Sequence, residues 1–254
     1  MEHDLLESLR RAHAEARMTG WDFSALEGRL IADDPWWDFE ADCLDAMREA
    51  RAIADLGTGG GERLIRLVDA LPDDRGGTRT VVATEGWEPN LAVARRNLGT
   101  RSIEVLPYDA ETGQVMPFGD GELDLVMSRH EGIDAGEVAR VLASGGRLLT
   151  QQVDGRDAEE IHEWFDAGFA YPEVTAERFV ADLEAAGMRI DQADEWSGQM
   201  RFTDVEALVI YLGYVPWDAP GFSVDEHLER LSELAANPGI TVTQRRFRIH
   251  ATKP

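Results

Sequence analysis

The chain has 254 residues, of which 43% are hydrophobic and 29% charged, and a formal net charge of −24. That charge repels phosphate on average and speaks against a nucleic acid as partner. The one cysteine, Cys43, rules out a disulfide framework, a cysteine-based zinc site and an iron–sulfur cluster held within this chain, and the only lysine is Lys253, so no internal lysine serves a Schiff base or a P-loop.

The first residues, "MEHDLLESLRRAHAEAR", read as an acidic helix rather than a signal peptide, and no run of 18 apolar residues follows. A cytoplasmic protein with no membrane partner is the expectation. From about residue 50 to residue 153, short apolar runs alternate with helical patterns. "RAIADLG" reads as a buried strand, and "ERLIRLVDAL" as a helix with Leu64, Ile65, Leu67, Val68 and Leu71 on one face. "PDDRGGT" is a loop, "RTVVATE" a strand, and "PNLAVARRNLG" a helix with Pro89 in its first turn and Gly99 at its end. Three more strands are read in "SIEVLPYD", "ELDLVMSR" and "GRLLTQQV", with "AGEVARVLASGG" a helix between the last two.

Further on, "TAERFVADLEAAG" is a helix started by Thr175 and stopped by Gly187, and "MRIDQADEW" a strand. Capping boxes are read at Thr203–Glu206 and Ser223–Glu226, each opening a helix, and "ITVTQRRFRIHA" is a terminal strand. This alternation predicts an α/β fold, a doubly wound and mostly parallel sheet with helices on both faces.

"RAIADLGTGGGER" poses the question of ligand. Glu62-Arg63 stand where a P-loop needs Lys-Ser/Thr, which excludes that motif. A dinucleotide fingerprint starting at Gly57 needs a small residue at position 62. Glu62 there places a carboxylate where the pyrophosphate would bind. Asp55, Gly57, Gly59 and Gly61 fit instead a D-x-G-x-G-x-G turn, whose glycines let a ligand approach the backbone closely.

In this turn the chain resembles the class I S-adenosylmethionine-dependent methyltransferases, in particular their small-molecule "type 11" group. The resemblance runs in order through about residues 50–153. It implies a Rossmann-like, seven-stranded sheet and S-adenosyl-L-methionine as cofactor. Asp55, Gly57, Thr58, Gly59 and Gly61 would then surround the methionyl group, with a carboxylate of the turn meeting its ammonium. Glu85, 28 residues beyond Gly57, would accept hydrogen bonds from both ribose hydroxyls. Gly86 and Trp87 would pack on the adenine, with a half-buried surface aromatic as the other reading of Trp87. Asp109 would accept the adenine amino group, and the Ala110 amide would meet a ring nitrogen. Asp124 is read as structural.

The stretch "SRHEGID" closes the fourth strand of the pattern and brings Ser128, Arg129, His130 and Glu131 beside the expected sulfonium. Ser128 and Arg129 are taken as cofactor contacts. His130 is the candidate general base, because imidazole titrates near neutral pH; lining the pocket without chemistry is the alternative. Trp36, Trp37 and Trp217 are candidate walls of an acceptor pocket, among other aromatics such as Trp21 and Phe23. "IHEW" is not H-E-x-x-H, and no metal site is expected.

The chain is therefore read as one domain of residues 1–254. An N-terminal helical lid covers 1–48, the cofactor-binding core 49–196, a helical acceptor-side insertion 197–240, and a terminal strand 241–254. The expected activity is transfer of a methyl group to a small-molecule acceptor, on oxygen or nitrogen, by in-line displacement. An RNA- or protein-directed methyltransferase of the same fold is the alternative. A nicotinamide oxidoreductase or a non-catalytic cofactor-binding protein would be the readings from other classes.

Overall fold

The structure is a computed structural model and describes residues 2–18, 23–72, 79–237 and 239–254. Trp21 and most of the expected loop at 72–78 lie outside the described residues. The fold is α/β, with a mostly parallel sheet of eight strands. Its strands are β1 (Leu30–Ala32), β2 (Ala52–Leu56), β3 (Thr80–Glu85), β4 (Glu104–Pro107), β5 (Leu123–Arg129), β6 (Leu142–Val153), β7 (Arg189–Phe202) and β8 (Ile240–Thr252). They hydrogen-bond in the order β1-β7-β8-β6-β5-β2-β3-β4. The chain divides into two units, one of residues 37–153, 174–195 and 247–254, the other of residues 1–36, 154–173 and 196–246.

The first unit carries the parallel strands. β2 lies between β3 and β5, β4 pairs with β3, and β6 with β5, all in parallel. "AIADL" is buried almost throughout, as expected of a parallel strand covered on both faces. Asp124 at the start of β5 accepts the Arg51 and Ala52 amides at 2.9 and 3.0 Å, which aligns the starts of β5 and β2. That is the structural role expected of it. Registers Asp55 with Ala83, Glu85 with Pro107, and Leu56 with Ser128 bring the carboxyl ends of the strands to one edge. The strand order reverses between β2 and β5, and in open α/β sheets ligands bind at such a crevice. Helices α2 (Phe39–Glu49), α3 (Glu62–Asp69), α4 (Glu88–Gly99), α5 (Ala135–Val141) and, from the later segment, Ala176–Ala185 belong to this unit. Its core includes Leu56, Val126, Leu148, Phe247 and Ile249.

The second unit contains α1 (Glu2–Glu15), the short β1, α6 (Glu159–Trp164), and two late helices, Val205–Tyr214 and Leu228–Ala235. In chain order Ala176–Ala185 is α7 and the late pair are α8 and α9. Its core is built from Leu9, Leu26, Phe202, Leu208, Leu212 and Leu231. Among the described residues no helix is long and apolar enough to cross a membrane.

Several expectations shift. The eighth strand is β1, which pairs antiparallel with β7. β7 runs to Phe202 rather than ending near Trp196, so residues 197–202 belong to a strand and not to a helical insertion. α5 stops at Val141, because Leu142 already pairs with Leu123, and the register then shifts before Arg147. α8 is capped by Asp204, whose carboxylate accepts the Ala207 amide, and not by Thr203. α9 begins only at Leu228, without a side-chain cap, so the box expected from Ser223 does not form.

Candidate active site

β2 leads through the glycine turn into α3. Gly57, Gly59 and Gly61 all have φ between 59° and 85°, a region where a side chain would be strained. The Thr58 amide donates to the Thr84 carbonyl at 2.9 Å, tying the turn to β3. Glu62 opens α3 and is exposed at the helix N-terminus, as the exclusion of a phosphate ligand requires.

Asp55 is 1% exposed and forms an ion pair with Arg63 on the first turn of α3. Burial pushes the Asp55 carboxyl up, opposed by the Arg63 guanidinium. One oxygen, Oδ1, is thus engaged by the protein's own cation, while Oδ2 is buried with no hydrogen-bond partner. Arg63 could not be foreseen as the partner because it stands eight positions on, beyond a turn whose path the sequence does not specify.

Glu85, at the end of β3, is also buried. Its two carboxylate oxygens accept the Gly59 amide at 2.7 Å and the Trp87 amide at 2.8 Å. Burial raises its pKa, while these amides, Gly86 and Asn90 pull it down. A Cβ on Gly86 would fall 2.8 Å from the Asp109 Cβ and 2.9 Å from the Tyr108 carbonyl. Glycine is therefore needed where the ends of β3 and β4 meet. Asp109 caps a single 3-10 turn at Ala110–Thr112, its Oδ1 accepting the Glu111 amide at 2.9 Å. Trp87 is 49% exposed.

At the end of β5, Ser128 is fully buried and Arg129 and His130 are exposed. His130 has φ +60° and closes the ladder with its amide on the Gln151 carbonyl at 2.8 Å. Its Nε2 lies 3.2 Å from the Gln151 side-chain nitrogen. The Trp37 indole donates to the Gln151 side-chain oxygen at 2.7 Å. Because an indole N–H only donates, it fixes the Gln151 amide with its NH₂ toward His130. That NH₂ engages the Nε2 lone pair, so the neutral ring carries its proton on Nδ1 and has no lone pair left for a substrate proton. The arrangement favours the pocket-lining alternative for His130 over the general base.

Glu131 is the residue the sequence underweighted. A Cβ added to Gly57 would fall on its side chain. The Glu131 backbone is held in place, its carbonyl accepting the Ser128 hydroxyl at 2.9 Å and the Gln152 amide at 2.8 Å. Burial pushes its pKa up to about 8, with the Glu85, Asp109 and Glu111 carboxylates adding to the rise. The placement follows from the switch point, where the turn after β2 and the segment after β5 meet, and from the left-handed backbone at His130.

Of the pocket tryptophans, Trp37 is buried, bound to Gln151 and 5.1 Å from the Arg248 guanidinium. Trp36 and Trp217 are 67% and 39% exposed and fall in the second unit. Among the described residues no group of His, Cys, Asp or Glu could hold a metal. Cys43 is a core residue whose thiol burial pushes up to about 12.

The site suits a ligand with neutral or cationic groups and no phosphate. It presents the pinned Glu85 carboxylate, and the Glu85, Asp109 and Glu111 carboxylates act on Glu131, while Arg63 is engaged by Asp55. Residues 54–150 match the family model described as a methyltransferase domain. Residues 54–150 are thus a methyltransferase domain.

Solved structures share the fold. A functionally unknown protein from Deinococcus radiodurans R1 superposes with a TM-score of 0.57 at 15% identity, over 99% of this chain and all of its own. The YcgJ protein from Bacillus subtilis gives 0.56 at 15% identity, over 85% of this chain and 97% of its own. A SAM-dependent methyltransferase from Aquifex aeolicus gives 0.50 at 16% identity, over 92% of this chain and all of its own. No curated protein matches the chain significantly in sequence.

Proposed function

We propose that the methyltransferase places a methyl group on oxygen or nitrogen of a small-molecule acceptor. The cofactor is S-adenosyl-L-methionine, a reading supported by the buried Glu85 carboxylate, pinned at the end of β3 by the Gly59 and Trp87 amides. Glu85 holds the ribose hydroxyls, Asp109 and the Ala110 amide the adenine edge, and Gly86 and Trp87 its face. Gly57 through Gly61 floor the methionyl group, with Ser128 and Arg129 at its side. When bound, the cofactor supplies a methyl on a sulfonium, already an activated electrophile.

The protein's task is then to hold the acceptor atom about 3 Å from that methyl and in line with the bond that breaks. His130 lines the acceptor side, oriented by Gln151 and Trp37. A small acceptor is favoured over RNA by the net charge of −24 and by how the arginines are engaged. Arg245 and Arg246, the most basic pair in the late sequence, are bound by Glu159 and Asp157.

The test is a screen of a metabolite pool and of total RNA with isotopically labelled cofactor, read by mass spectrometry. Label in a small molecule and not in RNA is expected; label in RNA alone overturns the small-acceptor reading. On the acceptor found, His130→Ala is expected to lower kcat less than about tenfold. A loss of about 10²–10⁴, with the acidic limb of the pH–rate profile abolished, would restore His130 as the base.

A further inference from the structure

Glu131 lies at the glycine turn, among carboxylates. Its backbone is fixed through Ser128 and Gln152, and its side chain occupies the space above Gly57. The charges acting most strongly on it are all negative: Glu85 from the end of β3, and Asp109 and Glu111 from the segment after β4. Tyr108 on that segment stays a neutral phenol, raised by burial to about 12. Asp55, the other carboxylate of the turn, already has Arg63. Arg129 and His130 precede Glu131 on its own segment, both exposed. The carboxyl best placed to meet a ligand cation at the glycine turn is therefore Glu131.

S-adenosylmethionine carries one more positive charge than S-adenosylhomocysteine, the product left after the methyl departs. We propose that Glu131 reads this charge: it ionises against the sulfonium-bearing cofactor and is protonated once that charge is lost, so that the site favours cofactor over product. The inference rests on the cofactor assignment above and deepens it. On cofactor binding, the Glu131 O–H bond breaks and its proton leaves to solvent. When the methyl bond to sulfur breaks, the electron pair stays on sulfur as a neutral thioether, and Glu131 takes a proton back from solvent. Because burial and the three carboxylates place its titration near pH 8, the ionised population available to a cation grows as pH rises through that value.

The experiment is calorimetric titration of the intact protein with S-adenosylmethionine and, separately, S-adenosylhomocysteine. It is run across about pH 6 to 9, in two buffers of different ionisation heat. The affinity ratio of cofactor to product is expected to rise about tenfold across that range and then flatten, with net proton release near pH 7 for the cofactor alone. In Glu131→Gln both ligands still bind, and both the rise and the proton release disappear. A flat ratio in the wild-type protein, or equal proton release with the two ligands, overturns the proposal even if the variant does not fold. Unchanged behaviour in a folded Glu131→Gln overturns it as well. Failure of the wild-type protein to bind either ligand would instead remove the cofactor assignment.

Discussion

Two carboxylates, the buried Asp55 and the half-buried Glu131, flank the same glycine turn and have opposite surroundings. Asp55 ends β2 facing the Arg63 guanidinium, and Glu131 follows β5 among three other carboxylates. Burial raises the pKa of both groups, but the fold supplies a cation of its own to Asp55. An ion pair within the protein fixes the turn's shape, with Asp55 Oδ1 engaged and Oδ2 buried without a partner. A carboxyl held among like charges gains most when a cation arrives from outside. The difference separates the residue that builds the site from the one that responds to its occupant.

Removing the cation from the first carboxylate should give the largest effect. Arg63→Met leaves Asp55 buried and unpaired and is expected to cost about 3–5 kcal/mol, a fall in Tm of roughly 10 °C by thermal melt. An unchanged Tm would mean that the pair is not what holds the turn.

Gly57→Ala attacks the other side. The new Cβ meets Glu131 and sits at φ +59°, an expected loss of about 1–3 kcal/mol in denaturant unfolding. Adding Glu131→Ala should recover about 1 kcal/mol of it; strict additivity would place Glu131 away from Gly57.

The smallest effect separates the carboxylates by pH. The folded-state pKa of Glu131 lies above its unfolded value, so its contribution is fully present below about pH 4 and is lost as pH rises through about 8. Glu131→Gln is therefore expected to change stability little at about pH 4 and to raise it by about 1–2 kcal/mol at about pH 9, discounted for partial exposure. A variant equally stable relative to wild type at both ends would contradict the buried titration.

Most of the parallel sheet was legible because its strands are short apolar runs closed by glycine, proline and acidic residues, as in "AIADLG" and "VVATEG". The positions of Glu85 and Asp109 were legible too, since Glu85 ends β3 and Asp109 stands two residues past the end of β4. What stayed hidden depends on through-space geometry. Arg63 reaches back across the turn to Asp55, and the left-handed residue before Glu131 brings it over Gly57. The Trp37–Gln151–His130 chain, which fixes a tautomer, joins residues up to 114 positions apart. The helix start near Thr203 was misread because Thr203 and Asp204 stand in tandem and only the backbone decides which caps, while near Ser223 no side chain caps α9.

The central claim, a methyl-donor site organised by the acid at the end of β3, is tested most directly by calorimetric titration of wild-type protein and Glu85→Ala with S-adenosylmethionine and with NADH. The account predicts one cofactor site in the wild-type protein, no NADH binding, and about a hundredfold weaker cofactor binding in Glu85→Ala, the scale of losing charged hydrogen bonds. Tight NADH binding without S-adenosylmethionine binding, or unchanged affinity in a folded Glu85→Ala, would contradict it.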